Sequence, residues 1–181
     1  MKTKIFAMSL ALIGMLAFAS CTKEKAGGNF TFSGKVQKGP FVTGTTITVN
    51  ELNTSLGQTG KAFTSSITSD DGSFGLSNVE MESNLALLSA NGFYYNEVIG
   101  KLSSAQITLQ ALADLNNEET VNVNVLTHIT KARIEKLVAD GLSFGDAKRK
   151  AESEFQDFLG VTDHFNQGFE QMSIATSGDF N

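Results

Sequence analysis

The stretch TVNVNVLTHITKARIEKL, residues 120–137, contains the point at which the chain changes its hydrophobic period. In TVNVNV, valines at 121, 123 and 125 share one face and two asparagines share the other, which is typical of a half-buried antiparallel strand. From Leu126 onward the apolar residues recur at helical spacing. The sequence therefore predicts a mainly β body that ends near residue 125 and a helical appendage after it.

The body before residue 125 repeats this alternation in short segments, among them TTITVNE, FTSSI and AQITLQAL. Turn signals separate them: Lys38-Gly39-Pro40, Gly57 to Gly60, Asp70-Asp71-Gly72, Asn91-Gly92 and Asn116-Asn117. LALLSANGFYYNEVIG, residues 85–100, is predicted to be a hairpin, because Asn-Gly tolerates the positive φ of its turn. About seven short strands at this spacing predict an antiparallel Greek-key-type β-sandwich over residues 30–125.

Residues 126–160 predict two helices that form an αα-hairpin. Gly141 stands where a helix C-cap glycine belongs, and Gly160 closes the second helix. Ser143 and Asp146 match a capping box at the start of that helix. Its predicted apolar stripe consists of Phe144, Ala147, Ala151, Phe155, Phe158 and Leu159. We expect both helices to cover the strands with their apolar faces.

Two stretches of the body, FSGKVQKGPFVTGTTITVNEL and TSSITSDDGSFGLSNV, resemble the carboxypeptidase-regulatory-like, transthyretin-type sandwich. The matching features are a strand ending G-x-V, a strand with alternating β-branched residues and a T-x-x-D-G-x-F turn. They fall on Gly34 and Val36, Ile47 and Val49, and Thr68, Asp71, Gly72 and Phe74. The resemblance covers most of residues 31–160, and the helical part is similar to a tail of secreted bacterial lipoproteins. It implies a surface lipoprotein without implying an activity.

The N-terminus predicts export. Lys2 and Lys4 precede the apolar run from Ile5 to Ala19, which has the length of a signal-peptide core. Cleavage by the ordinary small-residue rule would release a soluble protein that starts at Ser20. Alternatively, residues 18–21 resemble the lipobox of bacterial lipoproteins, with cleavage after residue 20. We favour lipidation of Cys21, because an exported protein with one free thiol would carry an oxidisable group. Residues 21–29 then form a lipidated, flexible tether.

Composition and charge exclude several functions. The net charge is −5 and becomes −7 when the two leader lysines leave, because 12 basic residues then face 19 acidic ones. This charge disfavours nucleic-acid binding. The two histidines, His128 and His164, lie 36 positions apart without a metal-binding motif, and we expect His128 to be a partly buried polar residue. The acidic stretch at 114–119 lacks the EF-hand glycine. We therefore expect no catalytic residues, metal or cofactor.

An aromatic triplet and the C-terminal tail are two further features of the sequence that bear on function. In the aromatic triplet Phe93-Tyr94-Tyr95, the first and third rings are predicted to face the core, and Tyr94 the rim of the sheet. Tyr94 is therefore the candidate partner-binding residue, for a protein or a glycan. The tail, residues 161–181, is too apolar for a disordered end and is predicted to be partly ordered. Either it folds back on the helices or the sequence is a fragment of a longer chain.

Together these features predict a non-enzymatic binding or structural module, anchored by lipid in the outer membrane. It would be surface-exposed or face the periplasm. The alternative is an accessory subunit or fragment of an envelope enzyme, or of a surface nutrient-uptake or adhesion complex.

Overall fold

A computed structural model describes residues 27–163 and 165–174 of the chain. This part contains nine strands, two α-helices and one short 3-10 helix. The strands are β1 Gly28–Gln37, β2 Thr46–Leu52, β3 Gln58–Ser66, β4 Ser73–Met81, β5 Leu85–Gly92, β6 Tyr95–Asn96, β7 Lys101–Leu102, β8 Ile107–Asp114 and β9 Val123–Asn124. The helices are α1 Val125–Ala139, α2 Phe144–Phe158 and the 3-10 helix Phe169–Gln171.

The strands form two main sheets, with orders β4-β1-β9 and β3-β2-β5-β8, and β6 pairs with β7 as a separate hairpin. The chain crosses between the main sheets after β1, β3, β4 and β8. All pairings are antiparallel except that of β9, which lies parallel to β1. The predicted fold class, a mainly β sandwich followed by an αα-hairpin, is confirmed.

The core lies between the two sheets. Along β2 the exposed Thr46 is followed by Ile47 and Val49, which are fully buried. Val36 of β1 and Leu88 of β5 face the same space and are also fully buried. Each such aliphatic side chain contributes about 1.5–3 kcal/mol by leaving water. The alternating pattern therefore fixes which face of each strand packs inward.

The prediction for TVNVNV was wrong in two respects. Its residues do not form an antiparallel strand, and both of its faces are buried. Gly34 of β1 allows this arrangement, because a Cβ at this position would lie 2.0 Å from the carbonyl oxygen of Val121. Without that Cβ, the chain after β8 approaches β1 closely, and Val121 N donates to Ser33 O at 2.8 Å.

The helical hairpin forms as the cap signals predict. Ser143 caps α2 by accepting from Asp146 N at 3.2 Å, and Gly141 takes a φ of +99° after α1. The N-cap of α1 is Asn124, which was predicted only as an outward strand residue. The two helices cover the outer face of the four-stranded sheet. Their contact consists of Leu52, Leu85, Leu87 and Leu112 from the strands and Ile134, Leu137, Ala147 and Ala151 from the helices.

The predicted turn at Asn91-Gly92 was wrong. Strand β5 continues through both residues, and Gly92 pairs with Ile107 of β8. Glycine is needed at position 92 because the side chain of Thr45 packs against its backbone, where a Cβ would lie only 2.5 Å from that side chain. The hairpin forms later instead, between β6 and β7, with its turn at residues 97–100.

Candidate functional site

Residues 165–174, called the strap below, fold back over α2 and then run beside β9. The ring of Phe169 meets that of Phe155 edge to face, with centroids 6.1 Å apart. Phe169 and Met172 are fully buried. The described part of the tail therefore lies on the helical hairpin, which was one of the two predicted alternatives.

The asparagines of TVNVNV hold the strap by its backbone. Asn122 N donates to Glu170 O at 2.7 Å, and Asn122 Nδ2 donates to Met172 O at 3.1 Å. Asn124 Nδ2 donates to Phe169 O at 2.7 Å, while its Oδ1 accepts from Thr127 N at 3.0 Å. Asn124 therefore caps α1 and anchors the strap at the same time.

Four charged residues meet between the strap and the elements beneath it, and we call them the acid–lysine cluster: Glu118, Lys148, Glu152 and, from the strap itself, Glu170. Lys148 Nζ lies 2.6 Å from Glu118 Oε1 and 2.8 Å from Glu170 Oε2. The side chains of Lys148, Glu118 and Glu170 are only 12%, 8% and 3% exposed. Glu152 Oε1 accepts from Phe169 N at 3.3 Å. One lysine therefore forms ion pairs with two buried carboxylates, while the third buried carboxyl group, that of Glu152, binds the strap backbone.

The carboxyl groups of Glu118 and Glu152 bind protons more tightly than usual. Burial raises the pKa of Glu118 to about 7, against the opposing attraction of Lys148. Burial, together with the nearby Glu170, raises the pKa of Glu152 to about 7. Burial opposes the charge on Lys148, but Glu170 and Glu118 together outweigh it and raise the pKa of the lysine. The cluster can therefore gain or lose a proton near neutral pH while its lysine stays charged.

A cavity of about 430 Å³ borders the cluster, between α2 and the strap. Its wall includes all four cluster residues together with Phe144, Arg149 and Phe165. Glu118 Oε2 is buried and accepts no hydrogen bond from any described residue, whereas the equally buried Glu170 Oε2 is paired with Lys148 Nζ. Buried carboxyl groups with raised pKa beside a cleft are typical of functional sites, although structural ion-pair networks share this property.

Sequence reasoning missed this cluster. Lys148 and Glu152 lie in KRKAESEF, which has the composition of a solvated helix face. One available signal was the pair Ala147 and Ala151, which are small and four residues apart. They allow a close approach beside Lys148 and Glu152. The predicted stripe of α2 was wrong at its end, because Phe158 is 82% exposed and Glu152 and Gln156 are buried in its place.

The predicted orientation of the aromatic triplet was wrong. Tyr94 is buried at 8% exposure, whereas Phe93 and Tyr95 are partly exposed. The reason is that β5 ends at Gly92 and the chain bends, so Tyr94 stacks on Phe41 with ring centroids 6.2 Å apart. Its hydroxyl accepts from Lys38 Nζ at 2.9 Å. Tyr94 therefore packs at the base of the β6–β7 hairpin and exposes little surface to a partner.

Residues 93–102, called the distal hairpin below, carry the most exposed apolar tip of the sandwich. Val98 at the turn is 95% exposed, and Ile99 and Leu102 are more than half exposed. Tyr95 N donates to Pro40 O at 2.8 Å and fixes the hairpin to the segment that follows β1. The tip therefore projects from the pole of the sandwich at which β1 ends.

The other residues considered from sequence show no catalytic or metal-binding arrangement in the part of the chain that the structure describes. His128 is exposed rather than partly buried. Both oxygens of Asp114 accept hydrogen bonds from nearby amide groups. Residues 27–163 and 165–174 hold no group of three or more potential metal ligands. Cys21 and His164 lie outside the described residues.

Comparison with known proteins finds no matching family model, no matching curated protein and no matching solved structure. The resemblance to the transthyretin-type sandwich therefore stays a prediction. Neither helix in the described residues has the length and apolar character needed to cross a membrane.

Proposed function

We propose that the protein is a lipid-anchored envelope lipoprotein, acylated at Cys21, that serves as a non-enzymatic binding module. Its distal hairpin would be the surface offered to a partner. The observation that carries this proposal is that the end of β1 nearer the proposed anchor in sequence is opposite to the end that holds the distal hairpin. Gly28 begins β1, and Pro40, which holds the hairpin, follows its other end.

The lengths of β1 and of the segment before it support the proposal that the distal hairpin is held away from the membrane anchor. Residues 22–27 are the six residues between Cys21 and β1, so they reach about 20 Å when fully extended. Strand β1 has ten residues and spans about 33 Å. If β1 stands perpendicular to the membrane, the distance from the membrane to the distal hairpin therefore exceeds the extended length of residues 22–27.

The shape and chemistry of the tip favour a protein partner. Small molecules bind mostly in concave sites, whereas the apolar side chains of the distal hairpin are exposed at a turn. Its outermost side chains, Val98 and Ile99, have no hydrogen-bonding groups and would fit an apolar pocket of another protein. Glu97 and Lys101 flank them and could fix the orientation of the partner. The same tip supports the alternative of an accessory subunit in an envelope enzyme, uptake or adhesion complex.

The anchor is tested by mass spectrometry of the mature N-terminal peptide and by cell fractionation. We expect a peptide that begins at residue 21 and carries fatty-acyl mass, and release of Cys21→Ala from the membrane fraction. A peptide beginning at Ser20 with a free thiol would refute the anchor. Cysteine labelling shows on which side of the outer membrane the folded body lies. The variant Val98→Cys is treated with a membrane-impermeant maleimide. Labelling of intact cells indicates the surface, and labelling only after permeabilisation indicates the periplasm.

The binding surface is tested by co-purification with other outer-membrane proteins. The variant Val98→Asp/Ile99→Asp should stay folded and anchored but lose the proteins that co-purify with the native chain. The matched control is Phe158→Asp/Leu159→Asp, which places the same two charges at similarly exposed apolar positions at the end of α2. Equal retention of the same proteins by both variants would exclude the distal hairpin as the binding surface.

A further inference from the structure

The acid–lysine cluster joins two fixed elements to the strap. Glu118 lies in the segment between β8 and β9, and Lys148 and Glu152 lie one turn apart on α2. Only Glu170 belongs to the strap, where it faces Lys148 at 2.8 Å. The neighbouring strap residue Phe169 also donates its backbone N–H to Glu152. The charge on these carboxyl groups therefore acts directly on the contact between the strap and α2.

Fully ionised, the cluster carries three negative charges and one positive charge in a site from which water is largely excluded. No other charged group in the described residues neutralises this excess. Arg149 of α2 pairs with Asp146 and is mostly exposed. Asp114, at the end of β8, adds further negative charge beside Glu118. Among the remaining residues, His164 precedes the strap directly in sequence.

We propose that the strap is a pH-responsive latch, closed on α2 while the cluster holds at least one extra proton and loosened when Glu118, Glu152 and Glu170 are all ionised around Lys148. Loosening would open the adjoining cavity and uncover Phe169 and the ring of Phe155 beneath it. The latch belongs to the helical side of the molecule and is independent of the proposed anchor and of the distal hairpin.

The direction of the response follows from proton binding. The pKa of both Glu118 and Glu152 is raised by burial from 4.5 to about 7 in the closed state. Between these values the closed state holds more protons than a state in which the groups meet water, so closure weakens as the pH rises through about 7. An ordinary salt-bridged carboxylate behaves in the opposite way and weakens a structure as the pH falls.

Hydrogen–deuterium exchange of the mature protein as purified from cells in detergent solution tests the latch. Protection factors, corrected for the chemical exchange rate, are compared at pH 5.5 and pH 8 for peptides covering residues 165–174 and, as internal reference, α1. We expect the opening constant of the strap to rise by about tenfold or more at pH 8, while that of α1 changes little. Equal changes in the two peptides would overturn the proposal.

Variants separate the cluster from other titrating groups. Glu118→Gln/Glu152→Gln should remove most of the pH dependence, because neither amide ionises. The matched control Glu154→Gln, at an exposed position on α2, should keep it. His164→Asn should keep it as well. If the double variant retains the full response, or if His164→Asn abolishes it, the cluster is not the sensor and the proposal fails.

Discussion

Replacing Lys148 by methionine tests whether the buried ion pairs hold the helical side together. The substitution keeps an unbranched side chain that is one atom shorter and removes its charge. Lys148 contacts Glu118 at 2.6 Å and Glu170 at 2.8 Å, and all three side chains are about nine-tenths buried. Removing one partner of a buried ion pair costs about 3–5 kcal/mol, because the remaining charge is left without compensation. We expect a loss of this size in the free energy of unfolding at pH 8.

The same substitution should cost less in acid. At pH 5.5 Glu118 and Glu152 are largely protonated, since burial raises the pKa of each to about 7. The loss should then fall to about 1–2 kcal/mol, the contribution of the missing hydrogen bonds. Urea unfolding followed by circular dichroism at both pH values measures the difference.

Two controls belong with this experiment. Lys150→Met makes the same change at an exposed position on α2 and should alter stability by about 0.5 kcal/mol or less. A quadruple variant with Lys148→Met, Glu118→Leu, Glu170→Leu and Glu152→Gln should recover most of the loss, because it removes the buried charges altogether. If Lys148→Met and Lys150→Met cost the same at pH 8, or if the cost at position 148 is larger in acid, the reasoning is refuted.

Further changes test the contacts around β1 and β9. Gly34→Ala should lower the free energy of unfolding by about 3 kcal/mol, because its Cβ would meet Val121 O, whereas Gly75→Ala, with open space around it, should be neutral or slightly stabilising in the same urea titration. Asn124→Ala should cost about 3 kcal/mol, since it removes the cap of α1 and two strap contacts. Hydrogen bonds from Lys35 and, to a smaller extent, from two serines lower the pKa of Asp71, so the stability that the carboxylate contributes is lost as the pH falls. The melting temperature of Asp71→Asn should therefore decrease less below pH 4 than that of the native protein. Melting curves at pH 2.5–6 measure this change.

Most of the sandwich could be predicted from sequence because its determinants are local. Alternation assigns Ile47 and Val49 to one face without knowledge of the partner strands. At the predicted Asp71-Gly72 turn, Gly72 has a φ of +83° and Phe74 returns to the core. The helix boundaries follow in the same way from cap residues that lie within a few positions of each helix end.

Asn91-Gly92 shows where local reasoning ends. The dipeptide suits a tight turn, but the ladder from β5 to β8 extends through it and outweighs the local preference. Gly92 is required there by the side chain of Thr45, which lies 47 positions earlier in the chain. Sequence alone contains no signal for such a long-range approach. The error then displaced the predicted hairpin and reversed the orientation assigned to Tyr94.

The acid–lysine cluster was beyond prediction for a deeper reason, which also explains why the strap should respond to pH. Burial of Phe169 and Met172 contributes about 1.5–3 kcal/mol for each side chain. A rise of the pKa from 4.5 to about 7 costs about 3 kcal/mol per carboxyl group once that group must ionise in place. The apolar gain and the electrostatic cost are therefore of similar size. The burial of these glutamates depends on the strap, and the closure of the strap depends on the protonation of the glutamates. The burial of the glutamates and the position of the strap therefore cannot be predicted from either stretch of sequence alone.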